Sequence, residues 1–193
     1  MEHESALVLL VFAALMIAAV ACDLHSRRIP NGLVLAGMAL GLLFQTVAPS
    51  GGGLFLGGPA SGAIGLGQAL LGAATGLALF MPMYALRALG AGDVKLLGMA
   101  GIWLGAGPVA WAALWTLLAG GVLALVVALG SGMLRQVLAN LNEMVLHSYV
   151  RARVGLGVGV TAPERTTGRL PYALAIACGV AAEVARPLLR AGA

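Results

Sequence analysis

The chain has 193 residues, of which 61% are hydrophobic and 9% are charged. A soluble domain carries roughly 25% charged residues, so this composition excludes a soluble monomer. One membrane-spanning helix needs ~20 apolar residues, and the chain has enough for about six of them. The net charge is +4, but Lys and Arg accumulate on the cytoplasmic side of membrane proteins for topological reasons. The composition therefore predicts an all-α, polytopic integral membrane protein in the lipid bilayer, with no nucleic-acid partner.

Apolar runs separated by charged residues or by Gly and Pro predict the membrane spans. They lie near 5–22, 33–48, 64–86, 94–106, 108–130 and 170–189. The fourth run would reach only about 20 Å as a helix, so residues 90–93 are expected at membrane depth. The polar connection 131–169 contains apolar residues at helical spacing over 134–145, which is typical of an amphipathic helix on the membrane surface. We expect a single transmembrane domain over residues 1–193.

The distribution of basic residues predicts the orientation. Of the 11 Lys and Arg residues, only Arg186 and Arg190 fall on one side of the predicted bundle. The others fall in the first, third and fifth connections, namely Arg27, Arg28, Arg87, Lys95, Arg135, Arg151, Arg153, Arg165 and Arg169. These connections are therefore expected in the cytoplasm, with the N-terminus outside. The first span is expected to be retained, because acidic residues precede it where a signal peptide would be basic.

Glycines spaced four apart recur in three of the apolar runs. Such a spacing lets helix backbones approach closely. The pairs are expected to mark the helix contacts of the bundle: Gly37 and Gly41, Gly72 and Gly76, and Gly101 and Gly105.

Seven residues are acidic. Five lie before the first span, in the polar connection, or late in the sixth span three residues before Arg186, namely Glu2, Glu4, Glu143, Glu164 and Glu183. The other two, Asp23 and Asp93, lie at the end of the first span and the start of the fourth. The alternation of spans places both on the same side, and an ionisable group near the bilayer is by default a candidate functional site.

Two carboxylates that come close in a poorly hydrated site share a proton and titrate as a coupled pair. Such a pair can act as general base and general acid at once, as in aspartic proteases. The cysteines, Cys22 and Cys178, form no CxxC pair, and no His has the spacing of a zinc site. No metal is therefore expected.

Glycines and a proline flank the two aspartates. Gly90 and Gly92 precede Asp93, and they are expected to let the backbone unwind and approach a substrate strand. After Asp23, Pro30 ends one segment, and Asn31 is expected to be the N-cap of the second span.

At these residues the chain resembles the type IV prepilin peptidases, membrane aspartic proteases of the GxGD kind. One motif is Asp23 followed by Ile29-Pro30-Asn31. The other is Gly90-Ala91-Gly92-Asp93 with Lys95 and Gly101-Ile102-Trp103-Leu104-Gly105. The resemblance covers most of residues 5–130 and resumes at Leu170-Pro171-Tyr172-Ala173.

The resemblance implies that Asp23 and Asp93 form a catalytic dyad. It implies cleavage of prepilins or pseudopilins at the cytoplasmic face of the bacterial inner membrane, between a short charged leader and the hydrophobic helix that follows. Lys95 would tune the dyad or hold the substrate backbone, with a purely topological cation as the alternative. Longer members carry a CxxC-containing cytoplasmic insertion and also methylate the product with S-adenosylmethionine. Here about nine residues join the first two spans, so the resemblance is to the short, peptidase-only branch that serves tight-adherence pili, with no cofactor expected.

Two other classes of protein are compatible with acidic residues near a membrane. An ion-coupled transporter would use them as relay sites, and it predicts inverted internal repeats, which the two halves of the chain do not show. A non-catalytic subunit of a pilus or secretion machine would use Asp23 and Asp93 only to anchor helix ends, and it predicts that Asn is tolerated at both. The oligomeric state is left open by the sequence.

Overall fold

A computed structural model describes residues 2–53, 62–86, 88–132, 135 and 171–191. Over these residues the chain forms six helices: α1 (Glu2–Ser26), α2 (Asn31–Val47), α3 (Leu66–Ala85), α4 (Ala91–Leu104), α5 (Ala106–Gly130) and α6 (Tyr172–Ala191). The described residues contain no strand, and an isolated bridge joins Ser50 to Ala63. The predicted all-α fold is confirmed, with one helix for each predicted span. The amphipathic helix predicted over 134–145 lies outside the described residues, apart from Arg135.

Three helices are long and apolar enough to cross a membrane: α1 over Ala6–Ser26, α3, and α5. α2 is apolar but shorter. Large apolar side chains on these helices are exposed, and Leu10 and Ile17 keep 69% and 68% of their surface. An exposed apolar surface of this kind suits contact with lipid rather than with water.

α4 is the central helix. It packs against α2, α3, α5 and α6, and every residue from Leu96 to Leu104 is buried. A helix that is apolar all round is expected to be buried in this way. Its 14 residues span about 21 Å, less than the ~30 Å of a bilayer core.

The boundary between α4 and α5 lies two residues earlier than predicted. The break falls at Gly105, which has a φ of 84°. Glycine adopts a positive φ without the steric cost that a Cβ imposes, so the chain can end one helix and start the next at a single residue. Pro108 lies within the first turn of α5, where its missing N–H leaves no hydrogen bond unmade.

The glycine pairs mark helix contacts, as predicted. Gly72 of α3 lies against Gly101 of α4, backbone to backbone, and a Cβ at Gly76 would lie 2.7 Å from the carbonyl oxygen of Leu97. On the α2 side, a Cβ at Gly41 would lie 2.8 Å from Nε1 of Trp103. Close approach of this kind drives helix association in lipid, where packing replaces the hydrophobic effect.

Two polar side chains link the helices inside the bundle. Gln45 is buried; its amide nitrogen donates to the carbonyl oxygen of Ile102 at 3.1 Å, and its amide oxygen accepts from the N–H of Ile64 at 2.8 Å. Trp103 donates to the carbonyl oxygen of Gly37 at 3.1 Å. These bonds satisfy polar groups that lipid could not, and they fix α2 on α4.

Candidate active site at the first turn of the sixth helix

Asp23 lies in the last turn of α1 and keeps only 7% of its surface exposed. Its Oδ2 accepts a hydrogen bond of 3.0 Å from the main-chain N–H of Ala173, in the first turn of α6. The first N–H groups of a helix have no partner within the helix. The Asp23 carboxylate, from α1, is the acceptor for one of these N–H groups. The positive end of the α6 dipole also attracts a carboxylate at this position.

Asp93 also lies at the N-terminus of a helix, but of its own helix, α4. It is the third residue of that helix, and its Oδ2 accepts a 2.9 Å hydrogen bond from the N–H of Gly90, the N-cap residue. An acidic residue at this position that reaches back to the N-cap is one half of a capping box. Both aspartates therefore lie at helix N-termini, Asp23 at that of α6 and Asp93 at that of α4.

The two segments that carry the aspartates are in direct contact. A Cβ added at Gly92 would lie 3.2 Å from Cβ of Ile29, so the absence of a side chain allows α4 to approach the connection between α1 and α2. Beside this contact, Lys95 donates from Nζ to Oδ1 of Asn31 at 3.1 Å. The structure thus brings together the two motifs that are more than 60 residues apart along the chain.

Two details of the sequence prediction are wrong. Asn31 is the first residue of α2 and not its N-cap, which is Pro30. The Asn31 side chain accepts from Lys95 instead of from its own helix. The backbone is not unwound at Gly92, because α4 begins at Ala91. The glycine serves the close contact with Ile29.

The start of α6 contacts Asp23, a role that the sequence did not indicate for this turn. Ala173 donates to Asp23, and Tyr172 precedes it in the same turn. The Tyr172 ring packs edge-on to Phe80 at 6.3 Å, and a Cβ at Gly120 would lie 2.7 Å from that ring. A proline directly before a helix, at the far end of a long connection, is the signal in the sequence that could have indicated this turn.

Glu183, a buried acid of α6, lies away from this site. It forms an ion pair with Arg186, at 2.9 Å, and Arg186 lies 5.6 Å from the ring centre of Trp111. Ten residues of helix separate it from Ala173, which is about 15 Å. Among the described residues, no three His, Cys, Asp and Glu side chains converge to form a metal site.

The sequence profile of the type IV leader peptidase family matches residues 10–129, which is more than half of the chain. The chain belongs to the type IV leader peptidase family. The comparisons with curated proteins and with solved structures give no match. Membership in the type IV leader peptidase family implies that the protein is a peptidase, and hence a hydrolase, with a prepilin-type substrate and a place in the membrane. The matched residues include both aspartates and end before α6.

Proposed function

We propose that the protein is an aspartic endopeptidase that removes the leader of prepilins or pseudopilins at the cytoplasmic face of the bacterial inner membrane. Asp23 and Asp93 are the catalytic pair. The observation that carries the proposal is the contact between the two segments that hold them, where Gly92 lies against Ile29 and Lys95 donates to Asn31.

The proposed reaction uses the two carboxyl groups in different protonation states. The ionised one accepts a proton from a water molecule as the water oxygen bonds to the scissile carbonyl carbon. The protonated one gives its proton to the carbonyl oxygen, and this forms a tetrahedral intermediate. When the intermediate collapses, the C–N bond breaks and the leaving nitrogen takes up a proton from the pair. A coupled pair of carboxyl groups is suited to this exchange because the two groups share protons.

The remaining motif residues support the pair in this proposal. Gly90 donates its N–H to Asp93, and Gly92 permits the contact with Ile29. Lys95 and Asn31 hold the α1–α2 connection against α4, and Pro30 starts α2 at that point. The cytoplasmic position follows from the excess of basic residues in the connections on this side of the bundle. No cofactor is needed for the hydrolysis.

A cleavage assay tests the proposal. Membranes that contain the wild type, Asp23→Asn or Asp93→Asn are mixed with a prepilin that carries its leader, and loss of the leader is followed on a gel. Because general acid–base catalysis contributes ~10²–10⁴-fold, each Asn variant should be slower by at least about that factor. Glu183→Gln is the matched control, since it changes a buried carboxylate to an amide about 15 Å along α6 from Ala173, and it should cut at the wild-type rate.

Other results would favour the other classes of protein. If both Asn variants cut as fast as the wild type, the aspartates are not catalytic. If the purified, monodisperse wild type cuts none of several prepilins, a role as an assembly subunit or transporter would be favoured.

A further inference from the structure

An apolar groove with a volume of about 380 Å³ runs between α1 and α6. All of its lining residues are apolar. Phe12, Met16 and Val180 form its floor and are 3–5% exposed, and Phe12 packs against Trp103 of α4 at 5.4 Å. Ile17, on its rim, is 68% exposed. The floor thus belongs to the core of the bundle, while the rim is open to the surroundings.

One end of the groove reaches the candidate active site. Val20 lines it and lies one helical turn before Asp23, and Leu174 lines it directly after Ala173, whose N–H binds Asp23. From Val20 the groove follows α1 back to Leu9, a length of about 16 Å. That is roughly half of the ~30 Å bilayer core. A chain segment in the groove would therefore have one end at the Asp23 carboxylate and the rest at membrane depth.

We propose that this groove binds the hydrophobic helix of the prepilin substrate and holds the peptide bond that precedes the helix beside Asp23. The inference rests on the proposed function, because it takes the substrate to be a leader followed by a hydrophobic helix. The bound helix begins where α1 ends, so it runs antiparallel to α1. Binding along the groove fixes the position of the scissile bond, and such positioning supplies much of the rate of an enzyme.

The side chains of the groove suit a helix as its occupant. Ala13, Ala177 and Ala181 line it, and small residues let a second helix backbone approach closely in lipid. A helix that binds in an apolar groove inserts side chains spaced three and four residues apart, as the open rim permits. Lipid chains are the competing occupant, and they would bind without any relation to Asp23.

Two adjacent alanines of α6 provide a matched test. Both Ala181 and Ala182 are exposed, but only Ala181 lines the groove. Ala181→Trp should lower kcat/KM for a full-length prepilin by at least about tenfold, through a higher KM and a lower kcat, because it disturbs both the binding and the positioning of the substrate. Ala182→Trp should leave both constants unchanged. Equal effects of the two substitutions, or none from either, would overturn the proposal and leave lipid as the occupant.

Disulfide crosslinking tests the contact without catalysis. In the Asp93→Asn protein with Cys22→Ser and Cys178→Ser, Ala177→Cys places one thiol in the groove. The control keeps Cys178, which is exposed and does not line the groove, in place of Ala177→Cys. A prepilin with one cysteine early in its hydrophobic helix should crosslink to the first protein and not to the second. Crosslinking that is equal for both, or absent from the first, would refute the proposal.

The two experiments separate the groove from the catalytic assignment. If Ala177→Cys crosslinks but the wild type cuts no prepilin, the groove proposal stands and the proposed function fails. If the wild type cuts prepilin but Ala181→Trp has no effect, the proposed function stands and the groove proposal fails.

Discussion

The contact between Gly92 and Ile29 leads to the sharpest prediction about the active site. A Cβ at Gly92 would lie 3.2 Å from Cβ of Ile29 and 3.5 Å from its Cγ1 and Cδ1, so an added methyl group would displace Ile29 by a few tenths of an ångström. A misplacement of about 1 Å can cost ~10²-fold in rate, so a few tenths should cost roughly threefold to fivefold. We therefore expect Gly92→Ala to slow prepilin cleavage by this factor. Gly92→Val adds methyl groups that meet the rest of the Ile29 side chain, and we expect a loss of about 10²-fold.

The assay is the rate of leader removal at equal amounts of folded protein, together with the thermal unfolding midpoint. Because Ala favours a helix over Gly by up to about 1 kcal/mol, Gly92→Ala should lower activity without a matching loss of stability. Gly32→Ala is the control, since a Cβ there meets nothing within 4 Å. Combining Gly92→Val with Ile29→Ala should restore activity only to the level of Gly92→Ala, because Cβ of residue 29 remains. Full activity of Gly92→Val, or no rescue in the double variant, would refute the reasoning.

Three further predictions concern the bonds and contacts around the site. Lys95→Met and Asn31→Ala remove the same exposed hydrogen bond, so each should slow prepilin cleavage by a similar factor, and the double variant should be no slower than either; additive losses would show that Lys95 acts elsewhere. Gly101→Leu should prevent recovery of monodisperse protein, because its side chain would enter the α3 backbone, while Gly67→Ala, where a Cβ meets nothing within 4 Å, should be recovered normally. Gln45→Leu should lower the unfolding free energy by about 1–3 kcal/mol, since it leaves a buried main-chain N–H and a carbonyl without their partner, and an unchanged unfolding midpoint would contradict this.

The number of helices and their approximate ends could be predicted from the sequence, because lipid demands long apolar segments with every backbone group satisfied. The glycine pairs indicated which faces pack, since only small residues allow close approach of helices in lipid. The sequence leaves the boundary between α4 and α5 open, because both Gly105 and the Gly107–Pro108 pair can end a helix.

The side-chain partners could not be predicted in the same way. Asn31 follows a proline at the start of a helix, a pattern that favours an N-cap, but Lys95 from another helix binds its amide oxygen instead. Gly90 and Gly92 are compatible with an unwound or a helical backbone. In the folded protein, α4 is helical from Ala91 and packs at Gly92 against Ile29.

The sequence alone indicated the two aspartates as candidate site residues, because few ionisable residues lie near the bilayer and each is costly there. The tertiary structure alone placed the first turn of α6 against Asp23, through a hydrogen bond between residues 150 positions apart. It also formed the apolar groove from α1 and α6, which are nearly as distant along the chain. The physical reason is that periodicity and composition report what each segment buries, whereas the partner of a carboxylate depends on how distant segments pack.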